Sequence, residues 1–412
     1  MATVSLSEPQ VLAHTKRTLF DDATEGSYAV VDTQFARDEW RVGEPIEPAI
    51  HEILAPFNHV IVGGGYPDLV GVRQLDAGFV AVERVGEEPQ LIAIEAKGYD
   101  QHGRVDTERG IVQAYDRLHE ANVVFLAAPV EAISQTDRTL ARELNVGVLA
   151  VDATGAVEPL ETPRVVGARS TDSAHAIRFQ ASAQGVADAS FGLNHPKNYL
   201  GYPLALYADE PTEQVLSAYR VVGATDAARR GAAFLDLIDR HPRRDRLTPL
   251  GEEVVRFAQR RYGSVEAALS EFDAWYRSPT RFVEAAPAWG QLARQIVFQY
   301  PATQLLVETL QNLHEDQQPA PTLNEFVTAL YTLQPSFTIE LFVRGDEATR
   351  RRVLTPDGEL RYEELVDGHI YHSPTVFQLK TMLYHVGLLT ERGREPTRLD
   401  PTGDVWALRE PV

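Results

Sequence analysis

Apolar residues recur in two rhythms along this chain, and the rhythm changes near its midpoint. In the N-terminal part, short continuous apolar runs alternate with segments of helical spacing. Tyr28 to Asp32, Leu69 to Val72, Leu91 to Ile94, Asn122 to Pro129 and Val146 to Asp152 read as buried strands, bounded by glycines and by the Glu87-Glu88-Pro89 turn. Between and before them, Glu8 to Phe20, Ile46 to Leu54, Thr107 to Ala121 and Glu131 to Leu144 carry helical spacing. Strands alternating with helices predict an α/β module with a mixed central sheet and helices on both faces, over residues 1–160.

From Pro163 to Asn194 small and polar residues dominate, and residues 161–209 read as a linker. Beyond it the pattern turns mainly helical. Thr212 to Val222, Asp226 to Asp239 and Gly251 to Arg261 are expected helices, the last opened by a Thr248 cap with Pro249 at its first position. Ser373-Pro374 opens another helix through Val376, Leu379, Leu383 and Val386, which Gly387 ends. Leu388 to Arg392 and Val405 to Arg409 then read as two strands around a turn-rich loop. Helix, strand, loop, strand resembles a winged helix, so residues 210–285 and 286–412 are expected to form two winged-helix-like modules.

Composition narrows the chemistry. The chain has 412 residues, enough for two or three domains. It has no cysteine, which excludes disulfides, thiolate metal sites and cysteine nucleophiles. No apolar run approaches a membrane span and no secretory signal is evident, so a cytoplasmic protein without membrane contact is expected. The net charge is −20, with lysine only at Lys16, Lys97, Lys197 and Lys380. That acid-rich, lysine-poor balance resembles proteins of salt-loving archaea. It disfavours nucleic acid at low salt, but in molar salt the Debye length shrinks to roughly 3 Å.

The residues that carry chemistry are Asp68, in Gly65-Tyr66-Pro67-Asp68-Leu69-Val70, and Glu95 with Lys97, in Ile94-Glu95-Ala96-Lys97-Gly98. Strand alternation points Glu95 and Lys97 to one face, and a neighbouring strand would add Asp68. Two close carboxylates repel, and a hard cation or an ammonium relieves that repulsion. Pro67-Asp68 and Glu95-Ala96-Lys97, in the order helix, strand, strand, strand, helix, strand, resemble the PD-(D/E)XK, or restriction-endonuclease-like, nuclease superfamily. The resemblance implies that Asp68, Glu95 and the Ala96 carbonyl bind Mg2+, with Mn2+ as a substitute. It also implies that Lys97 orients or activates the attacking water. By the same resemblance Glu52, with Glu47 as rival, is the further acid on the preceding helix, and Gln113 assists from the following one. Against Gln113 stands the apolar set Ile111, Val112, Tyr115 and Leu118, which reads as the opposite, buried face of that helix.

The triple glycine Gly63-Gly64-Gly65 lacks the lysine and hydroxyl of a phosphate loop, and the histidines lack ligand spacing. Arg350-Arg351-Arg352, and Arg240 with Arg243, Arg244 and Arg246, are candidate phosphate contacts. The expectation is a magnesium-dependent DNA endonuclease of restriction, defence or repair, dimeric because cutting two strands takes two centres. The alternatives are a non-catalytic DNA-binding regulator on a nuclease-like platform and an RNA-processing nuclease.

Overall fold

The computed structural model describes residues 5–20, 27–41, 43–76, 78–80, 89–164, 176–177, 192–240, 244–275, 280–355 and 357–410. The Glu87-Glu88 turn, Arg243 and most of the expected linker lie outside these residues. The chain divides into two compact units, one of residues 1–185 with 334–364, the other of residues 186–333 with 365–412. Among the described residues no helix is long and apolar enough to cross a membrane.

The first unit is an α/β body. Its strands are β1 (Tyr28–Val31), a small hairpin of β2 (Glu39–Arg41) and β3 (Glu44–Pro45), β4 (Leu69–Arg73), β5 (Gln90–Ala96), β6 (Val123–Pro129), β7 (Gly147–Val151) and β8 (Val157–Glu161). The central sheet has six strands in the order β1-β4-β5-β6-β7-β8. It is mixed: β5, β6 and β7 run parallel, while β1–β4, β4–β5 and β7–β8 pair antiparallel. Its helices are α1 (Glu8–Leu19), α2 (Pro48–Leu54), α3 (Thr107–Arg117) and α4 (Gln135–Glu143).

Every residue of β5 and β6 is buried because both sheet faces are covered. Ile92, Ile94 and Ala96 pack with Val11, Leu12 and Leu19 of α1 on one face. Leu91 and Ala93 pack with Ile111 and Ala114 of α3 on the other. By that alternation Glu95 and Lys97, like Asp68 two residues before Val70, belong to the α3 face.

Three expectations about the chain's division are corrected. The range read as linker contains the helix Pro196–Tyr207, almost wholly buried, because its sequence is apolar on all sides. Residues 334–364, read as part of the last module, belong to the first unit. There the helices Pro335–Phe342 and Glu347–Val353 place Glu340 and Arg350 against Tyr28 and Asn58. The strands expected at Leu388 to Arg392 and Val405 to Arg409 reduce to a single Leu389–Leu408 bridge, since Val405 bridges Thr322 instead.

The second unit is otherwise helical. A two-residue pairing of Ile238–Asp239 with Arg246–Leu247 precedes the helix Pro249–Tyr262. Thr248 caps that helix, its hydroxyl accepting from the Gly251 N–H at 3.0 Å, and Gly263 ends it at a left-handed φ of 84°. The helix opened by Ser373 runs to His385, with Val376, Leu379 and Leu383 buried.

Candidate active site

Antiparallel pairing of β4 with β5 sets Leu69 opposite Ile94, which brings Asp68 beside Glu95 and Ala96. The Ala96 N–H donates to Asp68 Oδ2 at 2.7 Å, and Gln34 Nε2 donates to Oδ1 at 2.9 Å. Lys97 Nζ lies 3.7 Å from Asp68 Oδ2 and donates to the Ala96 carbonyl at 2.9 Å. Glu95 Oε1 accepts from Arg117 Nε at 2.9 Å. Arg117 also reaches the Val62 and Tyr66 carbonyls, which ties the end of α3 to the loop before Asp68.

A third acid arrives from α1, a helix that the sequence predicts but does not link to the site. Glu8, in the first turn of α1, accepts a hydrogen bond from the Gly98 backbone and lies 4.0 Å from Arg41. The approach is close because residue 98 is glycine: a Cβ there would fall 2.1 Å from the Glu8 nitrogen. Gly110 does the same for α3, where a Cβ would lie 2.9 Å from Lys97 Cγ. Two glycines thus let α1 and α3 close on the Glu95–Gly98 segment.

Asp68, Glu95 and Glu8 are 4%, 2% and 7% exposed. Burial, followed by the Asp68 charge, pushes Glu95 up to about 8 and Glu8 up to about 7. Burial raises Asp68 too, with Lys97 and the Ala96 N–H opposing it. Burial alone would pull the Lys97 ammonium down, but Asp68, Glu8 and Glu95 outweigh it and hold the ammonium above its ordinary value. Three carboxylates therefore crowd two inner cations, Lys97 and Arg117, with only the exposed Arg41, 4.0 Å from Glu8, to balance the third.

These groups line a cleft of about 650 Å³ together with Gln34, Trp40, Arg41, Tyr66, Arg104, Arg109 and Gln113. Gln113 is on the cleft side of α3, and its Oε1 is buried without a hydrogen-bond partner among the described residues. The face assigned to this helix from sequence is corrected: Val112 and Tyr115 are exposed, while Ile111, Ala114 and Arg117 turn inward. Glu52 and Glu47 do not line the cleft; both are exposed. Helix α2 buries His51 and Leu54, and Lys16 of α1 caps its C-terminal carbonyls, which leaves Glu52 outward. The arginine triplet is likewise corrected: Arg350 is buried on Glu340, Arg351 pairs with Glu347 and Arg352 with Glu364.

Among the described residues, no group of three or more Asp, Glu or His side chains is gathered closely enough to cage an ion alone. Magnesium does not require such a cage, because it keeps several waters and takes one or two carboxylates. The donor set of Asp68, Glu95 and the Ala96 carbonyl is oxygen-only and over-negative, which fits a hard divalent cation. Lys97 Nζ now stands on two of those three donors and would have to turn aside. Of the groups here, Glu8, Gln34 and Arg117 escaped sequence reasoning. Only Arg117 left a trace, three residues from Ala114 and six from Ile111 on one helical face. Compared with known proteins, the chain matches no family model, no curated protein and no solved structure.

Proposed function

We propose that this chain is a metal-dependent endonuclease with a restriction-endonuclease-like catalytic unit, hydrolysing phosphodiester bonds in DNA. The observation that carries the reading is the convergence of Asp68, Glu95 and Lys97 at one end of paired β4 and β5, buried yet open to a cleft. Asp68, Glu95 and the Ala96 carbonyl would hold Mg2+ or Mn2+. When bound, the ion would lower the pKa of a coordinated water and offset charge on the phosphoryl oxygens. Arg117 fixes the Glu95 carboxylate in position. Lys97, freed from the Ala96 carbonyl, would orient the attacking water, and Gln113 Oε1, without a hydrogen-bond partner among the described residues, would accept a hydrogen bond from it. Arg104 and Arg109 on the rim would take flanking phosphates.

The second unit would act as the DNA-reading part, on winged-helix-like lines. Support comes from the short pairing before the capped helix Pro249–Tyr262, on which Arg260 and Arg261 are exposed. Restriction, defence and repair all suit such a pairing of units, and a homodimer would supply two centres for two strands.

The test is cleavage of plasmid and branched or single-stranded DNA by the full-length protein in molar salt, with Mg2+ or Mn2+. Wild type is expected to cut and Lys97→Ala to lose at least about a hundredfold in rate while still binding DNA. A wild-type protein inert on every substrate would overturn the reading.

A further inference from the structure

The cleft carries two aromatic rings that the hydrolytic chemistry does not use. Tyr66 is 40% exposed on its wall. One face of Tyr66 is backed by the His59 ring, stacked at 3.4 Å between centroids and 15° between planes. His59 is itself fixed by Asp32, its Nδ1 2.7 Å from Oδ2. The tyrosine is thus held rigid with its other side toward the cleft. Trp40 lines the same cleft, half-buried, with Phe35 stacked behind it and the Arg41 guanidinium 3.7 Å from its ring centroid. Its Nε1 has no hydrogen-bond partner among the described residues. Arg104 and Arg109 complete the wall; both are exposed, and among the described residues neither closes a salt bridge.

A rigid aromatic face beside uncommitted guanidinium groups, here Tyr66 with Arg104 and Arg109, is what an unpaired nucleic-acid strand requires: bases stack on the ring and phosphates follow the cations. A duplex has no free base face to offer, because its bases already stack on each other. The acids also lie recessed at the bottom of a cleft of about 650 Å³, the size of a small-ligand site rather than a duplex groove. A strand that can bend one phosphodiester inward reaches them more easily than a stiff helix does.

We propose, resting on the nuclease reading above, that the cleft takes DNA as an unpaired strand, with a base stacked on Tyr66 beside the Arg41-capped Trp40 and phosphates on Arg104 and Arg109. A natural probe is built in. Of the four tryptophans, Trp275, Trp289 and Trp406 are buried, so Trp40, at the cleft wall, is the one whose emission a strand bound beside it would quench.

The experiment titrates full-length protein, in EDTA to prevent hydrolysis, with single-stranded DNA of about 12 nucleotides and with the matching duplex. Tryptophan fluorescence and the anisotropy of labelled DNA are both read. The single strand is expected to quench the protein and to bind at least about tenfold tighter than the duplex, with the quench persisting in molar salt because stacking is not screened. Tyr66→Ala should weaken single-strand binding about tenfold, the worth of one base–aromatic stack. Tyr66→Phe, which keeps the ring, should restore it, and Trp40→Leu should abolish the quench. Equal or tighter duplex binding, or single-strand affinity untouched by Tyr66→Ala, would overturn the proposal. Quenching without any metal-dependent cleavage would sink the nuclease reading and leave the strand-binding inference standing. Cleavage confined to duplex, with no quench, would do the reverse.

Discussion

Glu340 and Arg350 meet in the interior of the first unit with both side chains fully buried, and the carboxylate also accepts from Tyr28 and Asn58 at 2.7 Å each. The cleft of the same unit gathers Glu8, Asp68 and Glu95 against Lys97 and Arg117. Both clusters contain buried carboxylates bonded to guanidinium groups, and residue type alone would not tell them apart. They differ in charge balance and in access. The Glu340 cluster is neutral and closed, with Arg350 also donating from Nε to the Arg344 carbonyl at 2.8 Å. The cleft cluster has three acids around two inner cations, the third balanced only by the exposed Arg41, and it opens to solvent. A balanced, sealed pair fastens structure, whereas an unbalanced, open one stores a demand for a further cation.

The largest effects are expected at Glu340 and Arg350. Arg350→Ala or Glu340→Ala should each cost about 3–5 kcal/mol, because the partner is left charged and buried. Replacing both by apolar residues, Glu340→Leu with Arg350→Met, should recover most of that loss. Denaturant unfolding would read it, and a single-variant loss below about 1 kcal/mol would mean that the pair is not sealed.

In the cleft the sign should reverse. Glu8→Gln removes one of three repelling acids, leaves Asp68 and Glu95 facing Lys97, and frees only the exposed Arg41. In EDTA near pH 8.5 the variant should be more stable than wild type by about 0.5–2 kcal/mol, while metal-dependent cleavage falls. A destabilised Glu8→Gln would remove the distinction between the clusters.

The smallest effect is the pH dependence of that difference. Glu8 and Glu95 are raised from 4.5 to about 7 and about 8 in the folded protein. Between the two limits the folded state holds more protons than the unfolded one, so their contribution to stability falls as pH rises and levels off above pH 8. The stability gap between Glu8→Gln and wild type should therefore be small near pH 5 and reach its full size by about pH 8. By the same linkage, a divalent cation should stabilise wild type more at pH 8.5 than at pH 6, because it must displace those protons. Chemical denaturation across this range, with and without Mg2+, measures both; a gap that shrinks with rising pH would contradict the burial of Glu8 as a raised acid.

Scarce lysine pointed to Lys97 in the sequence, and the structure gives that scarcity a wider meaning. Lys16, Lys197 and Lys380 are buried and Lys97 is half-buried: Lys16 donates to the Ile53 and Leu54 carbonyls, and Lys380 pairs with Asp404 at 2.6 Å. This chain keeps its lysines for interior contacts and leaves the surface cations to arginine. Lysine rarity alone therefore marks burial, and what sets Lys97 apart is the company of Asp68 and Glu95.

The order of strands and helices in the first unit was legible because local rhythm reports it: period-two or continuous apolar runs for β1 and β4 to β7, helical spacing for α1 and α3. The Asp68 and Glu95-x-Lys97 pairing was legible too, since each half sits within one strand segment and adjacency of β4 and β5 needed only short-range reasoning. What sequence left undetermined lies across elements that share no hydrogen-bonded ladder. Glu8 reaches the cleft only because Gly98 lets α1 approach, and Arg117 because α3 lies over β5. Tyr66 is poised by His59, and Arg350 is drawn from the arginine triplet into the core by Glu340. Local patterning fixes which face of an element is apolar. The partner of a buried charge depends on how distant segments pack, and no spacing along the chain encodes that.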